Sequence, residues 1–261
     1  MSRSEFSRGE EPEYAARVAP LPWTPWDSRQ LGRAAVVSAL ALGVAWLVTA
    51  ATDEGGVAWG ARAGRTLPLT PLCAAVGVWI VLAPVRSRGE AVALQAMGRS
   101  PAQIVAASVA GGALVALAAA VLLGTVGAVD VTGFFPTATR ATAWTWAGGA
   151  FVERAQGLRV TLDGVPAWTA PDASTAVGGL PAHARVAAAV ETGAAGVALP
   201  LLLAYALLAR VRRGPLVVAA GAAVAASVFL FQAAAARQAP AILAALPPVG
   251  LLAYAVRRYR S

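Results

Sequence analysis

The chain of 261 residues contains no lysine, and all 21 of its basic residues are arginine. The P-loop of a motor ATPase needs a lysine at a fixed position to reach the nucleotide phosphates. This sequence therefore excludes ATP hydrolysis by a P-loop of its own. Any motor of that kind has to lie on another chain.

Cysteine and histidine are almost absent. Cys73 is the single cysteine, so no disulfide can form within the sequence. His183 is the single histidine, no G-x-S-x-G motif surrounds a serine, and neither residue has ligand partners at metal-binding spacing. We expect no metal, no cofactor and no enzymatic activity. An intramembrane enzyme is disfavoured too, because no acid, histidine and nucleophile are paired on the apolar segments.

Charged residues are scarce, at 13% of the chain, whereas hydrophobic residues make up 58%. Soluble domains have about 25% charged residues. Uncharged apolar runs long enough to cross a bilayer occupy residues 34–52, 66–85, 100–129, 192–209, 214–236 and 238–256. The sequence predicts an all-α membrane protein with six transmembrane helices. Runs such as VAASVAGGALVALAAA contain many small residues, which permit close packing between helices.

The arginines gather at alternate ends of these runs. The groups are five arginines before the first run, then Arg86, Arg88 and Arg99, then Arg210, Arg212 and Arg213, and finally Arg257, Arg258 and Arg260. By the positive-inside rule, both termini, the 86–99 segment and the 210–214 loop are cytoplasmic. Nucleic-acid binding is disfavoured because these arginines adjoin span ends and lack interleaved aromatic residues.

Four segments follow from this pattern. Residues 1–30 form a cytoplasmic tail and an interfacial anchor with Trp23 and Trp26, and Asp27 or Ser28 is expected to cap the first helix. Residues 31–129 hold three spans with a cytoplasmic helix at 86–99. Residues 130–185 form an external module, and residues 186–261 hold three more spans.

The external module has strand signals. TAWTW, AFVERA, LRVTLDG and VPAW each fit a short strand, and glycines separate several of them. We expect a small antiparallel sheet, too small to close a full barrel by itself.

The polar segment from Arg86 to Gln103, called the elbow below, separates two apolar runs. Gly89 and Gly98 bracket a short helix, and Ser100, Pro101 and Gln103 predict a capping box at the next helix start. Residues 92, 93, 96 and 97 fall on one helical face. An elbow of this kind suits docking against a soluble protein.

Glu191 is an ionisable residue at the entry to the fourth run. A charge in lipid costs a few kcal/mol, which makes such a residue a functional candidate by default. Two alternatives stay open: Glu191 reaches the outer interface, or it pairs with Arg185.

The segment LPLTPLCAAVGVWIVLAPVRSRGEAVALQAMGRSPAQI resembles the second span, coupling helix and third-span start of the LptF/LptG lipopolysaccharide export permeases. The matching positions are Pro71, Glu90, Ala96, Gly98 and Ser100. WTWAGGAFVERA resembles the start of the family's external strands at Trp146, Gly149, Phe151 and Val152, and the last three spans are also similar. The likeness covers most of residues 31–260, although the external module is less than half the size of the family's jelly-roll.

The resemblance implies a permease subunit of an ATP-driven exporter in the bacterial inner membrane. Its partners would be a cytoplasmic P-loop ATPase dimer, a second permease subunit of the same or a homologous kind, a periplasmic lipid-acceptor protein, and lipopolysaccharide or a related membrane lipid. The residues coupling to the ATPase would be Glu90, Val92, Ala93, Ala96, Met97, Gly98, Arg99 and Ser100. The candidates for a lipid site or gate would be Arg62, Arg65 and Glu191.

Permeases of the FtsX and MacB type carry a similar elbow. The alternative function is therefore a membrane regulator or mechanotransmitter that is coupled to an ATPase without transporting lipid. Such proteins have four spans and one large external domain, so the six apolar runs of this chain favour the exporter.

Overall fold

The computed structural model describes residues 23–53, 56–135, 145–153, 158–168, 180–208 and 213–260. In these ranges the chain is mostly helical, with a small sheet between the fifth and sixth helices. The helices are α1 (Pro25–Thr52), α2 (Trp59–Thr66), α3 (Thr70–Ser87), α4 (Glu90–Ala96), α5 (Pro101–Thr125), α6 (Ala184–Leu208), α7 (Arg213–Ala235) and α8 (Leu246–Arg260). Short 3₁₀ turns occupy Leu67–Leu69, Thr132–Phe134 and Ala241–Ala245.

Six helical segments in the described part are long and apolar enough to cross a membrane, which confirms the predicted number of spans. They are Pro25–Thr52, Trp59–Ser87, Pro101–Thr125, Ala184–Leu208, Gly214–Ala235 and Ala241–Arg258. The second segment joins α2, a 3₁₀ turn and α3, and the last joins a 3₁₀ turn to α8. Residues 1–22 of the tail and anchor predicted over 1–30, and the arginines at positions 210 and 212, lie outside the described residues.

The first helix begins earlier than its apolar run because Thr24 caps it. The Thr24 hydroxyl accepts a hydrogen bond from the Asp27 backbone N–H, and the Asp27 carboxylate accepts one from the Thr24 N–H at 2.9 Å. This reciprocal capping box satisfies two backbone donors at the helix start. The expectation that Asp27 or Ser28 occupies the cap position is wrong, because Asp27 lies inside the first turn.

The sheet confirms the predicted antiparallel arrangement. Its strands are β1 (Thr145–Ala147), β2 (Ala150–Glu153), β3 (Leu158–Thr161) and β4 (Pro166–Trp168), and they pair antiparallel in chain order. Gly148 and Gly149 both have positive φ and close the two-residue turn between β1 and β2. Trp146 and Phe151 face each other there, with ring centroids 4.8 Å apart. Residues 142–144 and 154–155, also predicted as strand, lie outside the described residues.

The core of the helical bundle is formed by α1, α3, α5 and α6, and α8 packs against α6. Glycine permits the closest approaches. A Cβ on Gly111 of α5 would lie 2.3 Å from the Leu31 carbonyl oxygen of α1, and one on Gly196 of α6 would lie 2.1 Å from the Ala116 Cβ of α5. The small residues therefore act as the sequence predicted, by bringing helices together. In contrast, α1 and α7 leave most of their apolar surface outside the core.

Each end of the bundle has its own connecting structure. At one end α4 links α3 to α5. At the opposite end, the chain after α5 packs against α2, where the Asp130 N–H donates to the Gly60 carbonyl at 3.0 Å. The sheet continues from this second end. Candidate sites at the two ends are therefore separated by the length of the spans.

Candidate functional site

The elbow is built from a shorter helix than the predicted one at 86–99. The span helix α3 continues through Ser87, and Gly89, with φ of 73°, lets the chain turn before α4 begins. Gly98, with φ of 88°, ends the elbow helix. The Gly98 N–H donates to the Gln95 carbonyl at 2.9 Å, and the Arg99 N–H donates to the Leu94 carbonyl at 3.0 Å. This pair of bonds is a Schellman motif, which fixes the direction of the chain after the helix.

The capping box predicted at Ser100 is confirmed. The Gln103 N–H donates to the Ser100 hydroxyl at 3.2 Å, and the Ser100 N–H donates to the Gln103 side-chain carbonyl at 2.9 Å. Pro101 occupies the first helical position of α5. The Ser100 side chain is thus engaged in starting α5, and the elbow passes into that span through a defined geometry.

The elbow helix has an exposed apolar face. Val92 and Met97 are 68% and 69% exposed, and Ala93 and Ala96 are exposed beside them, whereas Ala91 is buried. The Glu90 carboxylate borders this face and lies 3.8 Å from the Arg88 guanidinium. We call Glu90, Val92, Ala93, Ala96 and Met97 the elbow surface. It is a small apolar patch with a carboxylate at its edge.

Arg99 points away from the elbow surface and into the protein. Its guanidinium donates to both Asp27 carboxylate oxygens at 2.9 and 2.8 Å and to the Thr24 hydroxyl at 3.1 Å, and it lies 5.5 Å from the centre of the Trp26 ring. The Arg99 and Asp27 side chains are only 10% and 7% exposed. The hydrogen bonds to Asp27 raise the pKa of Arg99 above its ordinary value. We call Arg99, Asp27, Thr24 and Trp26 the Arg99 latch, because they fasten the elbow to the start of α1.

Arg62 and Arg65, candidates for a lipid site, are both paired with Asp53 at the far end of α1. The Arg62 Nε lies 3.0 Å and the Arg65 Nη1 lies 2.6 Å from the two Asp53 carboxylate oxygens. The Asp53 side chain is 3% exposed, and the Arg62 guanidinium also lies over the Trp46 ring at 5.9 Å. This cluster ties the end of α1 to α2, and the Arg65 side chain remains 57% exposed.

Glu191 lies on α6 and borders a cavity at the sheet end of the bundle. The pairing with Arg185 considered from the sequence is wrong. The Arg185 guanidinium instead donates to the carbonyls of Val126, Gly127 and Val129 at 2.7 to 3.0 Å, just after the end of α5. An arginine in this position satisfies carbonyls that the helix end leaves free. Among the described residues Glu191 forms no ion pair, and it lines the cavity.

Sequence reasoning missed the two acids that hold the arginines. Asp27 has a local signal, because Thr-x-x-Asp is a capping-box pattern, but nothing nearby in the sequence points to Arg99, which is 72 residues away. Asp53 follows α1 directly and has no motif of its own. Within the described residues no group of three or more His, Cys, Asp or Glu side chains could hold a metal ion.

These features define the class of the chain as a helical protein with six segments able to span a membrane and a latched elbow between two of them. No family model, no curated protein and no solved structure matches the chain.

Proposed function

We propose that this chain is the permease subunit of an ATP-driven exporter that moves lipopolysaccharide or a related lipid from the inner membrane toward periplasmic acceptors. In this proposal two such subunits, similar to LptF and LptG, sit on a cytoplasmic P-loop ATPase dimer. The observation that carries the proposal is the elbow surface, an exposed apolar patch on a rigid turn that joins two spans directly.

The composition of the elbow surface suits a groove in a soluble partner. Four apolar side chains would be buried in the contact, and Glu90 would pair with an arginine of the ATPase at its edge. The neighbouring Arg88 lies at 3.8 Å, is largely exposed and forms only a weak pair with Glu90, so a partner can replace it.

The connections of α4 suit the transmission of force. The Schellman motif and the capping box fix the chain between α4 and α5, and the Arg99 latch adds the start of α1. A displacement of α4 by the ATPase would therefore move the ends of α1, α3 and α5 together. In this proposal Gly98 forms the turn after α4, and Arg99 and Ser100 hold the turn in place through these internal contacts. Only the elbow surface contacts the ATPase.

The orientation follows from the arginines. We place the elbow and both termini in the cytoplasm and the sheet in the periplasm, with three spans before the sheet and three after it. The sheet would then receive lipid from the bundle, with Arg62, Arg65 and Glu191 at the same end of the spans.

Charge reversal at the elbow tests the ATPase contact. Glu90→Arg should abolish co-purification of a P-loop ATPase from native membranes, because it places a cation opposite the partner's arginine. Asp163→Arg, the same reversal in the turn between β3 and β4, is the matched control and should leave co-purification unchanged. Retention of the ATPase by the Glu90 variant would refute the coupling role.

Removal of residues 135–180 tests the second half of the proposal. The shortened protein should still bind the ATPase but should no longer pass lipid to a periplasmic acceptor. Transfer at the normal rate by the shortened protein would exclude a role for the sheet. ATPase binding without any lipid transfer by the intact protein would favour a mechanotransmitter of the FtsX or MacB type.

A further inference from the structure

A cavity of about 340 Å³ lies at the sheet end of the bundle, between α6, α7 and two 3₁₀ turns. Its volume is in the range of sites for small ligands. The described wall is mostly apolar, with one carboxylate, one hydroxyl and one amide. The lining residues that carry the inference are Phe134, Glu191, Ser227, Phe231 and Gln232.

Glu191 is the single charged residue among the described residues of this wall. Among the described residues its carboxylate forms no ion pair and accepts one long hydrogen bond, from the Thr192 hydroxyl at 3.4 Å. Arg185, on the same helix, is held by backbone carbonyls of the segment after α5. A carboxylate inside an apolar segment without a cation is costly, so the site is complementary to a ligand that brings a positive charge.

Two aromatic rings add to this preference for a cation. Phe134 and Phe231 line the same cavity, and their ring centroids are 5.6 Å apart. Phe135 packs edge-on against Phe231 at 5.1 Å and holds the ring in place. Ammonium groups are attracted to the faces of aromatic rings, and burial strengthens the attraction.

We propose that this cavity binds the amino head group of a membrane amphiphile, with the ammonium held by the Glu191 carboxylate and the rings of Phe134 and Phe231. Ser227 and Gln232 provide hydrogen-bonding groups for the rest of the head group, and the apolar wall receives the adjoining chain. The inference deepens the proposed function, because it assigns an amine-bearing head group to a lipid that enters the bundle at its sheet end.

The test uses the full chain, purified alone in a neutral detergent. Phosphatidylethanolamine and phosphatidylglycerol with the same acyl chains are titrated separately, and the shift in Tm reports binding to the folded state. The amine lipid should raise Tm at lower concentration than the glycerol lipid. Glu191→Gln should weaken apparent binding of the amine lipid by roughly tenfold or more, because a charge-assisted hydrogen bond is lost.

Two controls make the result specific. Asp163→Asn removes the same charge in the turn between β3 and β4, outside the cavity wall, and should retain the full preference for the amine lipid. Phe231→Leu keeps the cavity apolar but removes a ring, and should reduce the preference in part; it also serves if the Glu191 variant does not fold.

Equal responses to both lipids in the unmodified protein would overturn the inference, as would a preference that survives Glu191→Gln. Because no ATPase is present in this experiment, its outcome is independent of the elbow contact. If no ATPase co-purifies with the unmodified protein, the proposed function is refuted and the amine preference is unaffected. If the ATPase co-purifies but the amine preference is absent, the inference about the cavity is refuted and the proposed function is unaffected.

Discussion

The Arg99 latch shows how a single residue can decide the geometry of a turn. Its guanidinium makes two parallel hydrogen bonds with the Asp27 carboxylate, an arrangement that lysine cannot reproduce. Both charged side chains are buried, so each charge is stabilised by the other and would be costly to bury alone. The arginine group at 86, 88 and 99 thus contains two kinds of residue: Arg86 and Arg88 are exposed, whereas Arg99 is structural.

Arg99→Ala should lower the free energy of unfolding by about 3 kcal/mol, because it leaves the Asp27 carboxylate buried without its partner. Thermal unfolding in detergent measures the loss. Arg88→Ala removes an exposed arginine and should change stability by less than about 0.5 kcal/mol.

A double variant separates the ion pair from simple loss of packing. If the pair is the cause, adding Asp27→Ala to Arg99→Ala should cost less than the sum of the two single changes, because no charge remains unpaired. Strictly additive losses would show that the two residues act independently.

At the scale of elements, the sequence predicts what depends on local pattern. The six apolar runs became six long helices, and the capping residues at Ser100 and Gln103 place the start of α5 correctly. The four strands were found because glycine turns and β-forming residues alternate there.

What depends on distant contacts could not be predicted. Helix α2 contains two arginines and has a short polar face, and it is stable here because Asp53 holds those arginines while Gly60 and Gly64 lie against the segment after α5. The partner of Arg99 could have been any acid at the same end of the bundle. Choosing between such acids needs the packing of α1 against α5, which apolar composition leaves undetermined.

Close packing between α1 and α5 depends on Gly111. Gly111→Ala should destabilise the protein by roughly 1 to 3 kcal/mol, because the new Cβ would meet the Leu31 backbone oxygen and the Ala34 Cβ. Gly221→Ala is the matched control within α7, where nothing lies within 4 Å of the new Cβ. That change should be neutral or stabilising by about 0.5 kcal/mol, since alanine restricts the unfolded chain.

Equal effects of Gly111→Ala and Gly221→Ala on stability would contradict this prediction. Equal stability of the two variants would mean that α1 and α5 do not approach at Gly111. The position of the Arg99 latch would then need revision, because the latch joins the start of α1 to the residue just before the N-cap of α5.

For the whole molecule, the proposed function depends on two chemically different ends. The elbow surface lies at one end and the Glu191 cavity at the other, separated by α3, whose 18 residues extend about 27 Å. The paired helices α3, α5 and α6 connect the ends through contacts tight enough to exclude a methyl group at Gly196. Helices packed this closely can transmit a displacement of the elbow to the cavity as a rigid-body movement. In a loosely packed bundle the helices would shift against each other instead.

This arrangement requires the two ends to lie on opposite sides of the membrane, and single thiols can test that requirement. Cys73 is buried and is the only native cysteine, so Cys73→Ala gives a clean background. Val92→Cys reports the elbow and Leu162→Cys reports the turn after β3, where the native side chains are 68% and 77% exposed. In intact spheroplasts a membrane-impermeant maleimide should label the Leu162 variant alone, and after lysis it should label both. Labelling of both variants before lysis would contradict a membrane-spanning bundle, and labelling of the Val92 variant alone would invert the orientation and remove the ATPase from reach of the elbow.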